Sequence, residues 1–101
     1  MSTTYTTGTW RPRAGKEREF VEAWAAFAGW ASTMPGCGTL QLARDLGDGG
    51  RFVSLGDWQS LEAVRAWKSS SEFKERIAQV LQDVDEFKPS ELALVATATP
   101  A

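Results

Sequence analysis

The chain has 101 residues, 43% of them hydrophobic, which suits one domain with a small core and leaves little material for a second. Its 11 basic and 13 acidic residues are scattered and sum to a net charge of −2, so the basic footprint required by a phosphate backbone is missing and no nucleic-acid partner is expected. Histidine is absent and Cys37 is the only cysteine, which excludes an intrachain disulfide, Ser-His-Asp and Cys-His nucleophile systems, and histidine-ligated zinc or haem within this chain.

The N-terminal Met-Ser-Thr-Thr-Tyr run has neither a basic nor an apolar stretch, and no segment approaches the roughly 20 apolar residues of a membrane span. A cytoplasmic protein without a membrane partner is expected. The first strand runs from residue 4 to 11, rich in β-formers, and stops at Pro12, which has no N–H for a ladder. From Gly15 the period becomes helical, with Phe20, Trp24, Phe27 and Ala31 on one stripe and Lys16, Glu17, Arg18, Glu19 and Glu22 on the early solvent side. Pro35-Gly36 ends that helix.

Two extended runs, 37–44 and 51–58, flank a turn-rich segment from Asp45 to Gly50 and predict a hairpin. Ser60 caps a short helix carrying Leu61, Val64 and Trp67. After the Ser69-Ser70-Ser71 interruption a second helical stretch carries Phe73, Ile77, Val80 or Leu81, and Val84. Pro89 then separates this stretch from a final strand, Leu92 to Ala96, and the tail 97–101 is expected to fray.

The order is β-α-β-β-α-β with the second helix split in two, an α+β, ferredoxin-like arrangement in one domain over residues 1–101, with its core at about 4–96. Such a sheet covers one face with helices. Here Phe52 and Trp58 oppose Val53 and Leu55, while Leu92 and Leu94 oppose Ala93 and Val95, so both faces read as apolar. An identical sheet is the simplest cover for the second face, which predicts a homodimer, the dimeric α+β barrel.

Several short motifs, in this order and spacing, resemble the antibiotic-biosynthesis monooxygenase family over residues 5–96: Gly15-Lys16 through Phe20, Met34-Pro35-Gly36, Arg51-Phe52-Val53 leading to Asp57-Trp58, Ala66-Trp67, and Ser71-Glu72-Phe73-Lys74. The resemblance implies a small-molecule pocket and, in one branch, cofactor-free oxygenation of polycyclic aromatics, anthrones or quinols, with dioxygen as co-substrate. In that branch Trp58 is matched. An asparagine four residues earlier corresponds to Ser54, a tyrosine to Val64, and an arginine loosely to Arg76.

A haem-degrading branch is matched only at Trp67. Its asparagine place falls near Gly8 and its histidine place near Ile77 or Arg76, so haem is not expected. The catalytic candidates are therefore Trp58, Ser54 and Arg76, as possible donors to a developing phenolate. Trp67, Trp10, Gly8 and Phe73 are the candidate substrate-binding residues, and no metal or resident cofactor is expected. The general base is left open among a buried carboxylate, a perturbed Tyr5 and the substrate's own acidity.

Each candidate has a plainer reading. Trp24 fits the helix core, and Trp58 is readily a packed indole with one hydrogen bond. Trp10 and Trp67 divide evenly between packing and pocket. Arg76 suits solvent, and Cys37 a small buried hydrophobe with no neighbour to lower its pKa. The sequence thus leaves three functions: a cofactor-independent monooxygenase, a non-catalytic small-molecule or haem-binding barrel, and a structural dimer in which every tryptophan is packing.

Overall fold

A computed structural model describes residues 3–101; the N-terminal expectation falls partly on residues 1 and 2, outside the described residues. The elements are β1 (Thr4–Pro12), α1 (Glu17–Ala31), β2 (Cys37–Asp45), β3 (Asp48–Trp58), α2 (Leu61–Ser69), α3 (Ser71–Leu81) and β4 (Val84–Ala93). One antiparallel sheet, in the order β2-β3-β1-β4, lies against the helices. This is the ferredoxin-like α+β fold that the element order predicts.

Local chemistry explains most of the boundaries. Ser60 Oγ accepts the Ala63 N–H at 3.1 Å and caps α2. Ser70 then works in both directions at the helix break. Its hydroxyl donates to the Trp67 carbonyl at 2.8 Å, closing α2, and accepts the Phe73 N–H at 3.1 Å, opening α3. Upstream, the connection into β2 turns at Gly36, where a φ of +84° and the Ala63 Cβ, 2.8 Å from where a Cβ of residue 36 would stand, leave no place for a side chain.

Two boundaries differ from the sequence expectation. The β2-β3 hairpin is tighter than a turn spanning 45–50: Asp45 pairs with Asp48, and only Leu46 and Gly47 connect them. Side chains hold that connection. Asp45 accepts the Gly47 N–H at 2.8 Å and pairs with Arg51 at 2.9 Å, and Asp48 pairs with Arg11 at 2.8 Å and accepts the Gly50 N–H at 3.1 Å. These bonds, Gly47 first for Asp45 and Arg11 first for Asp48, keep both carboxyls below the usual carboxylate range.

The last strand is also displaced from the expected Leu92–Ala96. It begins at Val84, which is therefore not helical, and it contains Pro89 within its length. Pro89 sits opposite Gly8 on an edge strand, where a missing N–H is tolerated, so proline does not break the ladder here. Beyond Ala93 the pairing ends with the Leu94 N–H on the Thr3 carbonyl at 3.1 Å.

The core lies between sheet and helices. Phe20, Phe27 and Ala31 of α1, Val64 and Trp67 of α2, and Val80 of α3 pack on Trp10, Phe52 and Trp58 of the sheet. The α1 stripe is as predicted except at Trp24, which is only half-buried. On the opposite face of the sheet the single chain leaves Leu55, Leu92 and Leu94 between 39% and 46% exposed. Tyr5 lies among them, paired with Leu92.

Candidate functional site

On the inner face of the sheet, alternate residues of β1 and β3 present Thr6, Gly8 and Trp10 beside Gly56, Ser54 and Phe52. A small cavity of about 60 Å³ opens there under the helices. Its walls are largely aromatic: Trp10, Trp24, Phe27, Trp67, Phe73 and Phe87. Among the described residues Thr6, Thr7, Ser54 and Lys68 are its polar ones, and Lys68 its only charged one.

Two indoles organise the hydroxyls of this wall. Trp10 Nε1 donates to Ser54 Oγ at 2.9 Å, and Trp58 Nε1 donates to Thr6 Oγ1 at 3.2 Å. A hydroxyl that accepts from an indole still has its own proton to give, and among the described residues neither Ser54 nor Thr6 gives it to a protein acceptor. The donated bond also polarises the O–H. The third donor is less expected: Trp67 Nε1 is buried and has no partner among the described residues. Native structures satisfy most buried N–H groups, so an unpaired one on a residue of the cavity wall is a candidate donor to a ligand acceptor.

Trp67 is held rigidly, stacked on Trp58 with centroids 4.7 Å apart and met edge-on by Phe73 at 4.9 Å. Lys68, the next residue, carries the cation and pairs with Glu91 of β4 at 3.4 Å. No polar or charged residue is fully buried among the described residues, so a buried-carboxylate base is not present there. Tyr5 alternates to the opposite face from Thr6 and does not serve this cavity.

The structure brings together Ser54, Trp10, Gly8, Trp67 and Phe73 from the predicted set, and separates two others. Trp58 is 1% exposed and does not line the cavity; its indole reaches it only through Thr6. Arg76 is turned away, its Nε on Glu72 at 2.8 Å and its guanidinium over Trp30 at 5.1 Å, as an exposed side chain would be. The space at Gly8 is taken by a neighbouring ring: a Cβ there would fall 2.8 Å from Trp10 Nε1 and 2.9 Å from both Ser54 Oγ and Phe87.

Thr6 and Lys68 were not among the sequence candidates. The alternation of β1 put Thr6 on the face of Gly8 and Trp10, which is the signal that was available for it. Lys68 had none, because a lysine on a short amphipathic helix ordinarily faces solvent. At the place where a haem ligand would stand, Ile77 lines the wall and offers no ligating atom. Cys37 is partly buried and its thiol is pushed up by burial, with Asp57 adding to the effect, which suits a packed rather than a reactive thiol. Among the described residues no three His, Cys, Asp or Glu side chains cluster as metal ligands would, and no helix is long and apolar enough to cross a membrane.

The family model for antibiotic biosynthesis monooxygenases matches residues 5–79. The chain belongs to that family. Solved structures agree in fold: a candidate antibiotic biosynthesis monooxygenase from Deinococcus radiodurans superposes with a TM-score of 0.85 at 16% identity, covering 97% of this chain and 98% of that one. SnoaB, a cofactor-independent oxygenase from Streptomyces nogalater, gives 0.80 at 15% identity over 98% and 97% of the two chains. A conserved protein from Methanosarcina mazei Go1 gives 0.82 at 16% over 91% and 92%. At these identities the likeness carries the fold alone. No curated protein matches the sequence.

Proposed function

We propose that this family member is a cofactor-independent monooxygenase acting on an anthrone, quinol or related polycyclic aromatic in the cytoplasm, with dioxygen as co-substrate. The observation that carries this reading is the donor set around one aromatic-walled cavity: the unpartnered buried indole N–H of Trp67 beside the hydroxyls of Ser54 and Thr6. SnoaB, of the same fold, is a cofactor-independent oxygenase, which supports it.

The chemistry asks little of the protein. An anthrone carbon loses a proton to water, the carbanion passes an electron to dioxygen, the radical and superoxide combine to a peroxide anion, and that anion takes a proton back from water to give the hydroperoxide. Loss of water leaves the quinone. The substrate's own acidity supplies the first step, and the protein stabilises the enolate-like oxygen with fixed donors in a dry site. On this reading Ser54, Thr6 and Trp67 donate to that oxygen, Lys68 adds a cation at the wall, and Trp58 orients Thr6 as a positioning residue.

Oxygen uptake with anthrone tests this. Enzyme-dependent formation of quinone, abolished anaerobically, is expected, and Trp67→Phe should lower kcat by on the order of 10²-fold while keeping the ring packing. No uptake above the spontaneous rate with anthrones or quinols, or turnover that persists without dioxygen, overturns it. Among the described residues no ionisable group is fully buried, which favours one second reading, a non-catalytic binder of aromatics. Tryptophan fluorescence quenched by such a ligand without product selects that reading.

We also infer that the molecule works as a homodimer through the face carrying Tyr5, Leu55, Leu92 and Leu94. The exposed leucines of that face support it. Sedimentation should then give twice the chain mass of 11.1 kDa, and a monomer at micromolar concentration would remove the dimer.

A further inference from the structure

The inner cavity, at about 60 Å³, is far smaller than the roughly 300–1,000 Å³ of ordinary small-molecule pockets. With its walls as they stand it has room for water or dioxygen but not for a fused ring system, so a substrate ring reaches its donors only when a wall opens. A second space lies beside it: an open groove of about 430 Å³ between α1 and the outer strand β2. Trp24 and Leu40 line both spaces and so form the partition between them.

Trp24 is loosely held for a large aromatic. Among the described residues the other four tryptophans each pair with a neighbouring ring, three of them stacked and Trp30 tilted against Phe27, whereas Trp24 has neither a ring partner nor a hydrogen bond. Its neighbours along α1 on the groove and cavity sides are Ala25 and Ala28, so small side chains leave room for its ring to turn. Exposed and half-buried rotamer changes of this kind occur readily.

The groove itself has a direction. Phe52 and Leu42 give it apolar walls, and Arg44 stands at the sheet edge with its guanidinium 4.9 Å from the Phe52 ring centroid. The cation–π contact holds the guanidinium beside that ring, and among the described residues Arg44 has no carboxylate partner. A planar fork of donors beside an apolar slot suits a carboxylate on an aromatic frame.

We propose that groove and inner cavity are the two halves of one elongated binding site, partitioned by Trp24, for a planar aromatic carboxylate whose anionic end rests on Arg44. The rings lie along Phe52 and Leu42, and displacement of Trp24 admits the far ring to the donors at Ser54 and Trp67. Only that last orientation rests on the oxygenase reading; the binding does not.

Anthracene-2-carboxylate and its neutral analogue anthracene-2-methanol separate the ideas, titrated by anisotropy of the anthracene emission against wild-type protein and the variants Arg44→Gln, Arg44→Lys and Trp24→Ala. Wild type should prefer the carboxylate. Arg44→Gln should weaken the carboxylate about tenfold and leave the alcohol within about twofold, with Arg44→Lys intermediate. Trp24→Ala should raise the affinity or association rate of both ligands about tenfold by removing the partition. Because Arg44 is exposed, circular dichroism should be unchanged in its variants. Failure of the wild type to bind either ligand, an unchanged carboxylate preference in Arg44→Gln, or a Trp24→Ala variant with neither effect overturns the proposal. Arg44-dependent binding without oxygen uptake upholds it and removes the oxygenase reading instead.

Discussion

Trp58→Ala should destabilise the fold by about 3–5 kcal/mol, the usual cost of removing a large buried aromatic. The indole is 1% exposed, stacks on Trp67 at 4.7 Å and donates to Thr6, so truncation removes packing and leaves a void beneath α2. For a small domain, whose total stability is about 5–15 kcal/mol, that is a large share, and urea denaturation followed by circular dichroism measures it. Trp58→Phe separates structure from chemistry. It keeps most of the stack and loses the N–H on Thr6, a change of about 1 kcal/mol. A fall in turnover well beyond that stability loss would place Trp58 in the chemistry through Thr6. Destabilisation below about 1 kcal/mol in Trp58→Ala would instead refute its place as a core residue.

Gly8→Ala is the second large effect, and its sign is informative. Intrinsic preference favours alanine over glycine in a strand interior by about 0.5–1 kcal/mol. Space opposes it, since the added methyl would stand under 3.0 Å from atoms of Trp10, Ser54 and Phe87. Trp10 has little freedom to recede, being 3% exposed and stacked on Phe87 with centroids 3.9 Å apart. Overpacking of this kind costs about 1–3 kcal/mol, so sterics outweigh propensity and the variant should unfold at lower urea. Near-UV circular dichroism should change with it as Trp10 shifts from Ser54. A variant as stable as wild type would show that the Trp10–Phe87 pair can move and that the cavity can widen on that side.

The candidate site was only partly legible. Gly8 and Trp10 share a face because strand alternation is a local rule, Ser54 joins them through the β1–β3 register, and Trp67 stood beside a visible helix break. Arg76 and Trp58 show the limit. A residue's register on a helix or strand does not say which neighbour claims its polar atom, and Glu72 claims one while Thr6 claims the other. Lys68 enters the site through Glu91, 23 positions further along the chain, on an edge strand whose start the sequence placed too late.

Element order, the split second helix, its Ser60 cap and the absence of histidine all follow from the chain read by itself, because capping, periodicity and composition act over a few residues. The extent of β4 depended on tertiary context, since Pro89 is tolerable only on the edge that β1 leaves open. So did the small cavity, the unpaired Trp67 N–H and the Trp24 partition, each of which arises where side chains from separate elements meet, and their geometry is set by packing rather than by any local pattern.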